Sequence, residues 1–273
     1  MKIGFIGTGN MGTILIQALI ESEAIKPSQL YLFNRTKAKA LKVQQTYGTV
    51  NVVDDVEVLA KYCDCIFLCV KPHQIPEVID RIKGNLTNSQ CLVSITSPVT
   101  VEELESLVPC QVARIIPSIL NRALTGASLF TFSTNTSEQW RTNLNELFSK
   151  ISNPLEITEN ITRISSDLTS CGPAFLSYIA ERMIIAATRK SEITHEQALF
   201  LTSEMLIGLG ELLKQQHYTL PTLIEKVCVK NGITGEGISV LETRLDGVFE
   251  EMFTKTYEKF AEDKKLLQGH FKA

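Results

Sequence analysis

The sequence predicts an α/β domain with a mostly parallel sheet, followed by an all-helical domain. Three observations support this fold class. The chain opens on a short apolar run that leads into a glycine-rich turn. Short apolar runs then alternate with amphipathic stretches as far as about Glu156, which is typical of βαβ units. From Ser166 onward, apolar side chains recur at helical spacing and strand signals are nearly absent.

The order of elements follows from this alternation. Strands are predicted at Lys2–Ile6, Leu30–Phe33, Cys65–Val70, Cys91–Ile95, Val112–Ile116 and Ser128–Phe132. Helices are predicted between them at Asn10–Ser22, Lys37–Tyr47, Val56–Tyr62, Gln74–Ile82 and Val101–Leu107. Later helices are predicted at Phe175–Arg189, His195–Gln216, Leu220–Val229, Gly237–Phe249 and Phe253–Leu267. We therefore expect one domain over residues 1–158 and an all-helical domain over residues 159–273.

The glycine-rich turn, Gly7–Gly12, has the pattern G-x-G-x-x-G between the first strand and the first helix. This context indicates a Rossmann-like dinucleotide-binding domain, because the glycines permit a tight turn and let a pyrophosphate approach the helix N-terminus. The alternative is a glycine turn that binds nothing. The cofactor contacts predicted here are Ile6, Gly7, Gly9, Asn10 and Met11.

The end of the second strand predicts which dinucleotide binds. NAD-preferring domains usually carry an acidic residue there, but this strand is followed by Asn34, Arg35 and Thr36. Because Arg35 can pair with a 2′-phosphate that a carboxylate would repel, we predict NADP(H) over NAD(H). The alternative is a solvated arginine at the start of the next helix. Further cofactor contacts are predicted where a later strand ends, at Cys69, Val70, Lys71 and Pro72.

Composition narrows the class of protein. The net charge of −3 gives no global attraction to nucleic acid or to an acidic membrane, and no apolar run is long enough for a membrane span. The seven cysteines show no zinc-ligand spacing, so no metal is expected. The N-terminus lacks the pattern of a signal peptide, and together these features predict a cytoplasmic protein.

The motifs together resemble the pyrroline-5-carboxylate reductase family. The resemblance runs through nearly the whole chain, from the opening G-T-G-N-M-G through N-R-T and V-K-P. Thr169–Phe175 matches the family's S-G-S-G-P-A-Y segment, and Cys228–Thr234 matches its late T-S-P-G-G-T-T signature. The resemblance implies NADPH-dependent reduction of a cyclic imine, 1-pyrroline-5-carboxylate, to proline. It also implies a homodimer formed through the helical domain, with larger assemblies left open.

The resemblance also implies a substrate site in the late segment. Its predicted contacts are Val229, Lys230, Asn231, Gly232, Ile233 and Thr234. Backbone N–H groups there would bind the substrate carboxylate, and Thr234 would hydrogen-bond the ring nitrogen. Glu181 is the second predicted catalytic residue, holding a cationic substrate nitrogen. The alternative for Thr234 is a threonine that caps the helix, and the alternative for Glu181 is an ordinary solvated glutamate.

Two segments depart from the family pattern. Val229-Lys230-Asn231 stands where the family usually has Ser-Pro-Gly, which removes a hydroxyl, and Ile116–Leu120 stands in place of M-P-N-T-P. We therefore expect a divergent branch of the family, associated with late competence. Three classes compete: an imine reductase, a β-hydroxyacid dehydrogenase, and a regulatory protein that binds NADP(H) without efficient catalysis. The dehydrogenase is disfavoured, because Phe175–Arg189 lacks the K-x-x-x-N pair of that class.

Overall fold

A computed structural model describes residues 1–268. The strands are β1 (Ile3–Ile6), β2 (Leu30–Phe33), β3 (Asn51–Val52), β4 (Cys65–Leu68), β5 (Cys91–Ser94), β6 (Gln111–Ile116), β7 (Ala127–Phe132) and β8 (Asn153–Glu156). The helices of the first part are α1 (Asn10–Glu21), α2 (Lys37–Tyr47), α3 (Val56–Tyr62), α4 (Ile75–Ile82), α5 (Val101–Glu105), α6 (Glu138–Ser149) and α7 (Thr162–Ser166). A π-helical turn (Asp167–Cys171) leads into α8 (Gly172–Lys190), α9 (His195–Lys214), α10 (Leu220–Val227), α11 (Ile233–Leu245) and α12 (Val248–Gln268).

All eight strands form one sheet in the order β3-β2-β1-β4-β5-β6-β7-β8. Neighbouring strands are parallel except for β6 and β7, which are antiparallel. The fold class predicted from the sequence is therefore confirmed. The strand order reverses direction between β1 and β4, and ligands of open α/β sheets bind beyond the carboxyl ends of the strands at such a point.

The central strands β1, β4 and β5 are buried on both faces, as their apolar sequences predict. Successive residues of β1 point into opposite clusters: Phe5 packs with Phe67 on one face, and Ile6 packs with Leu68 on the other. The Phe5 and Phe67 rings stack at 4.9 Å between centroids. The second cluster also contains Leu267 of α12, so the end of the described chain contributes to the core.

Four of these strands and helices were absent from the sequence prediction; besides the short helix α7, they are two edge strands and one longer helix. The edge strands are β3 and β8, which are short and pair with only one neighbour each. The longer helix is α6, which begins after the N-cap Ser137 and buries Trp140, Leu144, Leu147 and Phe148. Its remaining side chains are mostly polar, and this weakens the periodic apolar signal on which the prediction depends.

The late helices begin and end at other residues than predicted. Helix α11 starts at Ile233 instead of Gly237, and the break before α12 lies at Asp246–Gly247 instead of residues 250–252. Gly247 has a φ of +75°, a left-handed conformation that glycine adopts without a steric penalty. The expected break was therefore wrong by one helical turn.

The chain divides into two compact units. One comprises Met1–Pro173 with the chain from Thr256 onward, and the other comprises Ala174–Lys255. The sequence predicts a domain boundary between residues 158 and 159. That boundary separates two parts that are expected to fold independently, and it stays a prediction. No helix within residues 1–268 is long and apolar enough to cross a membrane.

Candidate cofactor and substrate sites

A cleft of about 430 Å³ opens where β1, β2 and β4 end. Nine of the predicted cofactor residues line it: Ile6, Gly7, Gly9, Asn34, Arg35, Thr36, Cys69, Val70 and Lys71. The predicted contacts Asn10, Met11 and Pro72 are not among the lining residues; Asn10 and Met11 form the first turn of α1. Sequence positions more than 60 residues apart thus converge on one cavity because the strands that precede them are parallel neighbours.

The glycine turn has the geometry that its motif predicts. Gly7 has a φ of +103°, and a Cβ atom there would lie 2.5 Å from the carbonyl oxygen of Cys69. A Cβ atom on Gly12 would lie 2.4 Å from the carbonyl oxygen of Gly7. A side chain at either position would therefore force the turn away from the sheet.

Gly9 differs from these two glycines, because no atom lies within 4 Å of the position that its Cβ would occupy. Gly9 is also the N-cap of α1, and it provides no side-chain hydrogen bond to the helix. The first N–H groups of α1 consequently face an open approach. This is the arrangement that an anionic group needs at a helix N-terminus.

Asn34 holds the glycine turn against the end of β2. Its Oδ1 accepts a hydrogen bond from the Thr8 N–H at 2.9 Å, and its Nδ2 donates to the Thr36 carbonyl oxygen at 2.9 Å. The structure therefore gives Asn34 a bracing role that the sequence did not reveal. Its predicted contact with the cofactor stays a prediction.

The cleft carries positive charge at the start of α2. No acidic side chain within residues 1–268 forms a salt bridge with Arg35 or Lys39. Lys37, between them, is instead paired with Asp54, at 2.5 Å between Nζ and Oδ1. Lys39 was missed by the sequence analysis, although its position one helical turn after Arg35 could have indicated it.

The sequence analysis also missed other residues that line the cleft. They are Phe33, Val56, His73, Gln74, Glu77, Val78 and Arg81. The Arg81 guanidinium lies 5.9 Å from the centroid of the Phe33 ring, and it is held by Asp55 at 3.0 Å and Glu57 at 3.2 Å. Hydrogen bonds within the Asp55 loop, with Arg81 as a further cause, lower the pKa of the Asp55 carboxyl below its usual value. An apolar wall beside cationic groups suits a base attached to a phosphorylated sugar.

The altered Ile116–Leu120 segment is tied to the π-helical turn. Ser118 Oγ donates to the Thr169 carbonyl oxygen at 2.8 Å, and Ser170 Oγ donates to the Pro117 carbonyl oxygen at 2.8 Å. π-helical turns occur frequently at functional sites. Ile119 and Leu120 follow Ser118 and are both exposed.

Arg114, in β6, anchors the same region from inside. Its side chain is fully buried and contacts Glu159 at 2.6 Å, Thr162 at 2.7 Å and Thr131 at 3.2 Å. Glu159 also pairs with Lys264 of α12 at 3.2 Å. Arg114 thus holds a strand end and is enclosed by the protein.

The late segment lies in the second unit, at the start of α11. Gly232 is the N-cap of this helix and offers no side-chain cap, and Asn231 has a φ of +58°. A Cβ atom on Gly232 would lie 2.7 Å from a γ-methyl of Val229, so the Val229 side chain packs beside the helix N-terminus. An apolar methyl group thus stands where the family pattern has a hydroxyl.

The other predicted substrate and catalytic residues of this unit are exposed. Lys230, Ile233 and Thr234 all lie at the surface. Thr234 lies within the first turn of α11 and is not its cap, so the helix-capping alternative is wrong. Glu181, in α8, is also exposed, and its Oε1 lies 3.5 Å from Nε2 of His195.

The fold and the cleft together define the class: this is a Rossmann-type dinucleotide fold followed by a helical unit. Residues 159–263 match a family model described as pyrroline-5-carboxylate reductase dimerisation, and residues 2–98 match one described as NADP oxidoreductase, coenzyme F420-dependent. The chain is 32% identical to pyrroline-5-carboxylate reductase 3 of Bacillus subtilis, over 95% of both chains. It therefore belongs to the pyrroline-5-carboxylate reductase family.

Two further comparisons refine this placement. The chain is 49% identical to ComE operon protein 4 of Bacillus subtilis, over 99% of both chains. The chain is thus similar both to a relative that is named by its operon and to named reductases. The crystal structure of pyrroline carboxylate reductase from Plasmodium falciparum with NADP bound matches with a TM-score of 0.82, at 24% identity and 98% coverage of both chains. At that identity the match confirms the fold.

Proposed function

We propose that this protein is an NADPH-dependent reductase that acts on a C=N bond, with 1-pyrroline-5-carboxylate as substrate and proline as product. The observation that carries the proposal is the cleft at the ends of β1, β2 and β4. It combines an open helix N-terminus at Gly9 with two cations, Arg35 and Lys39, that have no acidic partner within the described chain.

The residues of the cleft fit NADP(H). The open approach at Gly9 suits a pyrophosphate, the wall formed by Phe33 and Val78 suits an adenine ring, and Arg35 suits a 2′-phosphate. When bound, the reduced nicotinamide supplies the hydride. The chain then has to bind and orient both molecules and exclude water, because the imine carbon already accepts a hydride readily.

The late segment supports the substrate part of the proposal. N–H groups at the start of α11, including those of Ile233 and Thr234, would bind the substrate carboxylate. The exposed Thr234 hydroxyl would donate to or accept from the ring nitrogen, and Glu181 would hold a cationic form of that nitrogen. Lys230 would supply the charge that offsets the hydroxyl missing at Val229.

We also propose a cytoplasmic homodimer formed through the helical unit, with assembly of dimers as an alternative. The matched dimerisation model and the exposed apolar side chains of residues 174–255 support the dimer. All seven cysteines are free thiols, which fits a reducing compartment. Burial raises the pKa of Cys63 and of Cys110 to about 12, so both thiols are unreactive in the folded protein.

The test measures cofactor oxidation and cofactor binding separately. Purified protein is mixed with NADPH and 1-pyrroline-5-carboxylate, and the NADPH absorbance is followed; we expect it to fall with formation of proline. Arg35→Asp should weaken NADPH binding at least about ten-fold and leave NADH binding nearly unchanged, because a carboxylate repels the 2′-phosphate. If the Arg35→Asp variant binds NADPH and NADH as tightly as the wild-type protein does, the cofactor assignment is contradicted.

One observation favours a second function. The methyl group of Val229 beside the start of α11 weakens the expected carboxylate site, and the relative at 49% identity is described by its operon. The alternative is a competence-associated binding protein that retains NADP(H) without efficient catalysis. Tight NADPH binding with no turnover on a panel of cyclic imines and keto acids would favour this alternative.

A further inference from the structure

A buried carboxylate lies at the start of the π-helical turn, and the proposed reaction does not use it. The side chain of Asp167 has no exposed surface. Its carboxylate accepts two hydrogen bonds from Arg163, at 2.7 and 3.3 Å, and one from the Thr256 hydroxyl at 2.6 Å. Because Arg163 belongs to α7 and Thr256 to α12, three segments of the chain meet at this one side chain.

The pair of Asp167 with Arg163 does more to order these segments than to stabilise them. A buried ion pair adds little to stability, because the loss of hydration offsets most of the attraction between its charges. In some proteins a buried polar group instead specifies one arrangement of the segments that it joins. Arg163 extends the contact with α12, since its guanidinium lies 5.6 Å from the centroid of the Phe260 ring. The arrangement that Asp167 specifies is therefore that of the π-helical turn.

The π-helical turn holds the segment that follows β6. Pro173 has no N–H, so the α-helical hydrogen bond to the Thr169 carbonyl oxygen cannot form. Ser118 Oγ donates to that oxygen instead, at 2.8 Å, and Ser170 Oγ donates to the Pro117 carbonyl oxygen at 2.8 Å. Ser118 is only 1% exposed, so its hydroxyl is enclosed. The position of the segment after β6 consequently depends on the turn.

This segment lies at the edge of the sheet that carries the cofactor cleft. Strands β4, β5 and β6 are parallel neighbours, so their carboxyl ends share that edge. A dinucleotide spans the point at which the strand order reverses. With the 2′-phosphate at Arg35, after β2, the nicotinamide half would extend toward the ends of β4, β5 and β6.

We propose that Asp167 is a positioning residue for imine reduction: it holds the π-helical turn, and the turn holds Ser118 and its neighbours beside the nicotinamide. The inference rests on the proposed function and adds a residue outside the predicted cofactor and substrate contacts. Hydride transfer depends steeply on the separation of donor and acceptor carbons, so a displacement of about 1 Å can lower the rate about a hundred-fold. A loosened turn should therefore lower kcat more than it weakens ligand binding.

The first test is a double-mutant cycle on kcat. Asp167→Asn keeps the shape of the side chain and removes its charge, and Ser118→Ala removes the hydroxyl that reaches the turn. Each change should lower kcat about ten-fold and leave the KM for the imine and the Kd for NADPH within about two-fold. Because both act through one turn, the double variant should also be about ten-fold slower. A loss of about a hundred-fold in the double variant would mean two independent roles and would overturn the inference.

Cys171, the last residue of the turn, gives a readout that needs no turnover. Its Sγ accepts a hydrogen bond from Arg163 at 3.4 Å, and burial raises the pKa of its thiol. Both features slow its alkylation while the turn keeps its arrangement. Alkylation of Cys171 by N-ethylmaleimide, followed by peptide mass spectrometry, should be at least about five-fold faster in Asp167→Asn than in the wild-type protein. An unchanged rate would contradict the inference, because the turn would then not need the carboxylate.

Lys264→Met is the matched control. Lys264 also joins α12 to the chain before the turn, by pairing with Glu159 at 3.2 Å. Its removal takes away an ion pair of α12 without changing the contacts of Asp167. The kcat and the alkylation rate of Cys171 in Lys264→Met should equal those of the wild-type protein, and a ten-fold lower kcat would indicate a general effect of α12 and overturn the inference.

A last variant separates positioning from stability. Replacement of both Arg163 and Asp167 by Met should leave the melting temperature nearly unchanged, because apolar side chains often replace a buried ion pair without loss. The kcat should still fall about ten-fold, and a wild-type kcat in this variant would overturn the inference. Absence of NADPH oxidation by the wild-type protein would overturn the proposed function together with the inference, whereas an unchanged kcat in Asp167→Asn, beside an active wild-type protein, would overturn the inference alone.

Discussion

The two compact units of this chain bury their apolar side chains to very different degrees. In Met1–Pro173, strands such as β1 and β4 are covered on both faces by helices, and aromatic rings stack in the core. In Ala174–Lys255, only Ile184 and Ala198 are buried. Exposed side chains of that unit include Leu176, Tyr178, Met183, Phe200, Leu201, Ile207, Val240 and Leu241.

This difference concerns how far each unit encloses its apolar side chains within a single chain. An apolar surface of that extent is rare on a monomer and marks an interaction site. The residues are concentrated on consecutive helices, as in dimers whose interfaces resemble a divided core. The contrast therefore supports the homodimer proposed above and predicts that the second unit depends on its partner for stability.

The largest expected effect comes from charging this surface. Phe200 and Ile207 are seven residues apart on α9, so they share one face, and both are more than 60% exposed. The double change Phe200→Glu and Ile207→Glu should convert the dimer into monomers, because buried unpaired carboxylates oppose association. Light scattering coupled to size-exclusion chromatography measures the mass.

Val58→Glu is the control for this prediction. Val58 is an exposed apolar residue of α3, in the first unit, with 41% of its surface accessible. The same chemical change there should leave the mass unchanged. A wild-type protein that is monomeric at all concentrations would refute the interpretation of the apolar surface.

An intermediate effect is expected from replacing the buried Arg114 of the first unit. Arg114→Met removes a fully buried guanidinium and its bonds to Glu159, Thr162 and Thr131. The free energy of unfolding should fall by about 3 kcal/mol, since the remaining buried polar groups lose a partner. Urea denaturation followed by circular dichroism gives this quantity.

Arg141→Met provides the comparison for Arg114. Arg141 is partly exposed and pairs with Glu156 at 3.1 Å, so its removal should cost less than about 1 kcal/mol. Equal losses of unfolding free energy in the two variants would mean that the burial of Arg114 does not determine its contribution to stability.

The smallest effect is expected at the late segment of the second unit. Val229→Ser restores a hydroxyl beside the N-terminus of α11 in place of the methyl group that packs there. The KM for 1-pyrroline-5-carboxylate should fall about ten-fold, as one charge-assisted hydrogen bond is gained. The Kd for NADPH should stay constant, because the cofactor residues lie in the other unit. An unchanged KM would mean that the carboxylate binds elsewhere.

Much of the fold was predictable from local patterns. The apolar runs of β1 and β4 and the strand–turn–helix context of Gly7–Gly12 are local signals, and they located the first βα unit and the cofactor cleft. The mostly polar α6 and the short edge strands β3 and β8 were missed. Their apolar signal is weak, and edge strands depend on a neighbour that is distant in sequence.

The residues that line the cleft also fall into those that local sequence signals identified and those that they missed. Arg35 and Lys71 follow directly from strand ends, so the sequence identified them. Lys39, Val78 and Arg81 line the cleft only because α2 and α4 pack beside the strand ends, a consequence of sheet order that no local pattern records. The bracing of Thr8 by Asn34 likewise joins residues 26 positions apart.

By itself, the sequence determined the class of fold, the glycine turn and the chemical character of the cofactor site, because these depend on residue type and spacing within a few turns of chain. Only the tertiary structure decided which side chains are buried without a partner and which apolar faces are left uncovered. The unpaired Thr8 hydroxyl and the exposed face of α9 are such features. Both arise from contacts between distant segments, and burial is a property of those contacts and not of any single residue.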